Sequence, residues 1–157
     1  MAGRKTRMVF RSVGHTVAGL YVLAATSAVA ADVTYHSSGA FEGQNLPFTE
    51  AVEAGGLVFL SGQIGVKPGT LTLVEGGIEA EARQTMDNIG ATLEAADLTF
   101  ADVIKCTVML SDMADWPAFN AVYVEYFEAP YPARSAFGAN GLALGGSLEV
   151  ECIAARP

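Results

Sequence analysis

The chain has 157 residues, 51% of them apolar, and a formal net charge of −8. That length fits one domain with ample material for a core. The acidic balance disfavours partners that present a phosphate backbone or an anionic membrane surface.

The first 30 residues differ from the rest. Arg4, Lys5, Arg7 and Arg11 stand there without an acidic residue, and an apolar run from Val17 to Ala25 follows. Ala28-Val29-Ala30 closes the segment. A basic start, a short apolar middle and an A-x-A end form the pattern of a secretory signal peptide. The apolar run is shorter than the roughly 20 residues a spanning helix needs. With no cysteine near the end and no Arg-Arg pair before the run, general secretion is favoured over a lipid anchor or a twin-arginine route. The expectation is a signal over residues 1–30, cleavage near Ala30, and one domain over 31–157. In a Gram-negative source the mature protein is then periplasmic and free of the membrane. Its 17 acidic side chains face only Lys67, Arg83, Lys105, Arg134 and Arg156, a formal charge of −12.

Residues 31–47 are polar and glycine-containing and read as an irregular lead-in. Thr49–Val52 suggests a short strand and Gly55-Gly56 a turn. Leu57–Leu60 is an unbroken apolar run, expected as a buried strand. From Ile78 to Ala96 the residues Ala82, Met86, Ile89, Leu93 and Ala96 recur at spacings of four and three, which predicts an amphipathic helix. Val103–Leu110 alternates, with Ile104, Cys106, Val108 and Leu110 on one face and Lys105, Thr107 and Met109 on the other. Asp115 then reads as a helix cap with Pro117 in the first turn. Trp116, Phe119, Tyr123, Tyr126 and Phe127 form the stripe of a second helix ending before Pro130. A last strand over Ser147–Ala154 points Leu148, Val150 and Cys152 one way and Glu149 and Glu151 the other. The simplest assembly is an α+β domain, one sheet with both helices on a single face. Its other face mixes Thr107, Met109 and Ile153 with carboxylates, the composition of a subunit interface that houses a polar pocket.

Cys106 and Cys152 fit either a disulfide or two buried thiols. Two cysteines with His15 and His36 do not make a metal site, so no metal is expected. The most informative stretch is Tyr131-Pro132-Ala133-Arg134-Ser135 with the following Leu148-Glu149-Val150-Glu151. An arginine can hold a carboxylate by two parallel hydrogen bonds, and a glutamate can steer a water or a proton. The same pair also fits an ordinary ion pair between neighbouring strands. Glu151 offers the chemistry of Glu149 two residues on. Ser61 also fits a strand terminator and Asn120 a helix-surface amide.

Five segments in order carry a resemblance: Leu60-Ser61-Gly62-Gln63-Ile64, Ala82-Arg83-Gln84-Thr85-Met86-Asp87-Asn88-Ile89, Val103-Ile104-Lys105-Cys106-Thr107-Val108, Asn120-Ala121-Val122-Tyr123, and the block from Pro132 to Glu149. Across about Leu46 to Arg156 the chain resembles the RidA family of reactive-intermediate enamine/imine deaminases. That resemblance implies a chorismate-mutase-like fold, a homotrimer with clefts between subunits, and no cofactor. It also implies hydrolysis of 2-enamine and 2-imine acids to 2-keto acids with release of ammonia. The small 2-imino or 2-keto carboxylate would be the ligand, with no nucleic acid involved. Arg134 falls on the family's carboxylate-binding arginine and Glu149 on its water-positioning glutamate. Ser61, Gly62 and Asn120 fall on other pocket positions. Phe48 stands where the family carries a pocket tyrosine, and Ala136 where it often carries a cysteine. The alternative is a non-catalytic binding protein that captures a small carboxylate in the same intersubunit cleft, with a chaperone-like role a distant third.

Overall fold

Helices cover only one face of the sheet, and that asymmetry decides which side chains reach the site. The computed structural model describes residues 32–157; the expected signal peptide lies outside them. Strands β1 (Val33–His36), β2 (Ala51–Ala54), β3 (Leu57–Leu60), β4 (Val103–Leu110), β5 (Ala133–Gly138) and β6 (Leu148–Ala155) form one sheet in the order β1-β2-β3-β6-β4-β5. β4 and β5 run parallel and every other pair is antiparallel. Helices α1 (Gly77–Ala95) and α2 (Trp116–Tyr123) pack side by side, α1 against β6. The expected α+β arrangement is the one observed.

The local reasons are legible. Gly55 and Gly56, at φ 59° and 79°, close the β2–β3 hairpin with the two left-handed residues that a tight turn of this twist requires. Ala82, Met86, Ile89 and Leu93 bury the α1 stripe against Val58, Val108, Leu148 and Val150 of the sheet. Phe119, Val122 and Tyr123 of α2 complete the same core. Phe127 follows in an aromatic chain with Tyr123 and Phe100, at ring separations of 4.6 and 5.2 Å. Cys106 and Cys152 are directly opposed on β4 and β6 and form a buried disulfide beneath the helices.

Six expectations need correction. Leu57–Leu60 is not buried throughout: Val58 and Leu60 enter the core, while Phe59 stands exposed on the uncovered face. Ile104 does not share a face with Cys106. Val103 opposes Ala154 and Lys105 opposes Ile153, so Ile104 is the extra residue of a β-bulge and turns outward, while Val103 takes the core position. Asp115 holds the N-cap position of α2 but its backbone is already helical and its side chain caps nothing. Asp112 does the capping one turn earlier, accepting from the Ala114 N–H at 2.8 Å. α2 ends at Tyr123, so Tyr126 and Phe127 follow the helix rather than extend it. The strand expected at Thr49–Val52 begins instead at Ala51, and two further strands, β1 and β5, were not expected at all.

Candidate active site

The residues singled out by sequence divide into two groups on opposite sides of the sheet. The first surrounds Glu149. After β3 the chain steps aside at Ser61 and rejoins the sheet at Gln63, which exchanges two backbone hydrogen bonds of 2.9 Å with Val150. That path lays Gly62 against the Glu149 side chain. A methyl group on Gly62 would overlap Glu149 Oε1, so the absence of a side chain there is what seats the carboxylate. Ser61 donates its hydroxyl to the Thr49 carbonyl at 2.6 Å, which ties the start of this step to the entry of β2. Glu149, Gly62 and Phe48 line one cleft of about 260 Å³, walled mostly by Phe41, Leu46, Leu71 and Leu144.

Glu149 is half-buried and has no hydrogen-bond or ion-pair partner among the described residues. Burial pushes its carboxyl above the ordinary glutamate value, and the like charge of Glu151 on the same face pushes it further. A carboxylate kept partly dry, unpaired and at the mouth of a cleft suits proton exchange with a water or ligand.

The second group surrounds Arg134. In the β4–β5 register Arg134 lies beside Cys106 and Ala136 beside Val108, so both point toward the helices. The Arg134 guanidinium sits 4.5 Å from the centroid of the Trp116 ring and 4.5 Å from that of Tyr123. This aromatic sandwich fixes the fork and supplies a cation–π attraction of about 0.5–2 kcal/mol per ring. Trp116, Asn120 and Tyr123 follow one another at spacings of four and three, which places Asn120 on the same stripe of α2. Burial raises the Tyr123 phenol above its ordinary value, with the Arg134 charge opposing the shift. Because β5 is an outer strand, alternate N–H groups along it point away from β4 and are open to a ligand.

Three of the other four cations are otherwise engaged. Arg83 pairs with both carboxylate oxygens of Glu125 at 2.5 and 2.7 Å, and Arg156 holds Glu53 at 3.1 and 2.7 Å with His36 on the same carboxylate. Lys105 donates to Ser135 Oγ and the Cys106 carbonyl, and Lys67 is exposed. Arg134 has no carboxylate partner among the described residues.

Arg134 and Glu149 therefore do not form an ion pair between neighbouring strands. Sheet alternation puts them on opposite faces, Arg134 with Cys106 and Glu149 with Met109. Ser61, Gly62, Phe48 and Glu149 lie in the cleft group, and Asn120, Arg134 and Ala136 in the helix-side group. Sequence reading missed the apolar walls Phe41, Leu46, Leu71 and Leu144 and the rings that clamp Arg134. The signal for Phe41 was present, a lone large apolar residue in a polar, glycine-containing stretch; Leu46, Leu71 and Leu144 each have another large apolar residue two positions away and did not stand out.

The model of the family described as Endoribonuclease L-PSP matches residues 42–156. A protein of Capra hircus named 2-iminobutanoate/2-iminopropanoate deaminase is 42% identical over 110 residues, covering 70% of this chain and 80% of that one. The crystal structure of the yeast protein YEO7 aligns at a TM-score of 0.75 with 36% identity, covering 80% of this chain and all of that one. The E. coli protein TdcF, crystallised with bound serine, aligns at 0.73 with 34% identity, covering 79% of this chain and 99% of that one. The mixed sheet with its two helices is the chorismate-mutase-like fold of these proteins, and the chain belongs to the RidA family, whose matching model carries the L-PSP description.

Proposed function

We propose that the protein hydrolyses 2-imino acids, and their enamine tautomers, to 2-keto acids and ammonia, as the name of its goat relative states for that protein. The observation that carries this reading is the division of labour on the sheet. Arg134 is a pre-oriented cation without a counter-charge, and Glu149 an unpaired, partly dry carboxylate.

Since the two side chains point away from each other in one chain, a substrate that touches both must lie between two copies. Phe59 and Phe137, exposed on the uncovered face beside Ile153 and Met109, supply the apolar surface for that contact. A closed ring of three copies, each giving its Arg134 side to the Glu149 side of the next, satisfies every surface at once.

In that cleft Arg134 holds the substrate carboxylate through two charge-assisted hydrogen bonds, which fixes the neighbouring C=N carbon. Glu149 orients a water and accepts its proton as the oxygen adds to that carbon. From the protonated imine this gives a neutral carbinolamine. Glu149 returns its proton to the nitrogen, and as the C–N bond breaks the hydroxyl proton passes to the departing ammonia, leaving the keto acid and ammonium. Asn120 and the outward N–H groups of β5 share the carboxylate.

The test generates 2-iminopropanoate with an amino-acid oxidase and traps surviving imine as its semicarbazone. Added protein should accelerate imine loss, and no acceleration with any imine sinks the reading. Arg134→Ala should lower kcat/KM by about 100-fold or more, the worth of two charged hydrogen bonds. The serine held by the E. coli relative favours the second reading, a non-catalytic carboxylate binder. Calorimetric binding of a 2-keto acid without any turnover would establish it. The strongly acidic described chain speaks against a ribonucleic acid substrate.

We also place the mature protein in an oxidising, periplasmic compartment. The pattern of residues 1–30 and the Cys106–Cys152 disulfide support that assignment. Cell fractionation with N-terminal sequencing tests it, and a cytoplasmic protein that keeps Met1 or begins at Ala2 would overturn it.

A further inference from the structure

Resting on the deaminase reading, we infer that the protein's preferred substrates are 2-imino acids with a bulky apolar side chain, branched or aromatic, rather than those with a methyl or ethyl group. The cleft beside Glu149 carries this inference. Only Glu149 and Gln63 give it polar side chains; the rest of its wall is hydrocarbon and glycine. Phe48, Leu71 and Leu144 are 49%, 43% and 55% exposed, and all three border this one opening. Folding one domain leaves all three in water together; in the assembled ring an apolar ligand group at this opening would cover what the neighbouring copy does not.

Two features show that the cleft is built rather than incidental. Leu144 sits at φ 57°, a left-handed conformation that a large side chain adopts only when its surroundings impose it, and its side chain lines the cleft. The loop that provides Phe41, Leu46 and Phe48 is anchored at its base, because Ser37 and Ser38 donate their hydroxyls to the buried Glu50 carboxylate at 2.7 and 2.5 Å. The wall is thus preformed. Gln63 is 2% exposed and its Nε2 has no partner among the described residues, so the deep polar point of the wall keeps an unused donor.

Size points the same way. A cleft of about 260 Å³ has the liquid volume of roughly nine waters. A substrate methyl group displaces about one of them and leaves the rest against hydrocarbon. An isobutyl or benzyl group displaces most, and each buried methylene favours binding by about fourfold.

The test compares imines made by an amino-acid oxidase from alanine, leucine and phenylalanine, with semicarbazide as the trap and the assembled full protein as catalyst. The leucine or phenylalanine imine should show a kcat/KM at least about tenfold above that of 2-iminopropanoate. Equal or greater efficiency on 2-iminopropanoate would overturn the inference while leaving the deaminase reading intact. Inactivity on all three would remove both. Leu71→Ser and Leu144→Ser should each reduce the large-to-small preference several-fold. Both residues are exposed, so the variants should fold, which circular dichroism and elution volume verify. An unchanged preference in both would also overturn the inference.

Discussion

Of the five cations in the described chain, Arg83 and Arg156 are paired with carboxylates, whereas Arg134 is held by aromatic rings. The rings preset the fork without neutralising it, which is what a site for an incoming carboxylate needs. Glu149 is the complementary case, a carboxylate left unpaired and raised by burial and by Glu151. As the base it must be ionised, so kcat should rise with pH through a limb above the ordinary glutamate value of 4.5. Glu151→Gln removes the like charge and should move that limb to lower pH, read from a pH–rate profile. A limb that stays in place would show that the two carboxylates are not coupled. The same shift has a stability sign. The folded protein keeps the Glu149 proton at pH values where the unfolded chain has lost it, so stability falls as pH rises from about 4.5 through the raised value. Glu149→Gln should remove that fall in denaturant titrations. At this scale the sequence located both residues and the face of Glu149, because strand alternation is a local property. It gave no face for Arg134, since β5 was not recognised as a strand.

Both unrecognised strands, β1 and β5, are the outer strands of the sheet. Val33 and Tyr35 of β1 are exposed, and β5 buries none of its residues fully. A strand that does not divide its residues between core and water carries no period-two signal, and its ladder partner is distant in sequence. The inner strands and α1 were legible for the opposite reason, a fully covered face. The bulge at Ile104 defeated alternation by one residue, as an insertion in a register must.

At the same scale, the step at Ser61–Gln63 makes a sharp prediction. Gly62→Ala should displace the flexible Glu149 side chain rather than the backbone, lowering kcat by about 100-fold, the lower range for losing a general base. The thermal midpoint should hardly move. Calorimetry and the imine assay together check it, and full activity would show that Glu149 works from another position. The disulfide closes a sequence separation of 46 residues between β4 and β6. By the chain-entropy relation its removal in Cys106→Ser/Cys152→Ser should cost about 4 kcal/mol, measured by urea unfolding with and without reductant.

For the whole molecule, the sheet is finished on one side and unfinished on the other. Helices cover the face that carries Arg134, while Glu149 shares its face with exposed Phe59 and Phe137. Covering those rings should be worth a few kcal/mol per copy, enough to favour association. Light scattering should give three times the mass of the mature chain. A monodisperse monomer would leave the proposed cleft without its second half.

The placement of Arg134 and Glu149 on opposite faces has a genetic consequence. Two inactive proteins, Arg134→Ala and Glu149→Gln, each retain the half that the other lacks. Dissociated, mixed in equal amounts and reassembled, their subunits should form boundaries at random, and in a ring of head-to-tail contacts about one boundary in four unites an intact arginine with an intact glutamate. Roughly a quarter of wild-type turnover should return from two dead parents, and a cell expressing both alleles should contain imine-hydrolysing activity that a cell expressing either lacks.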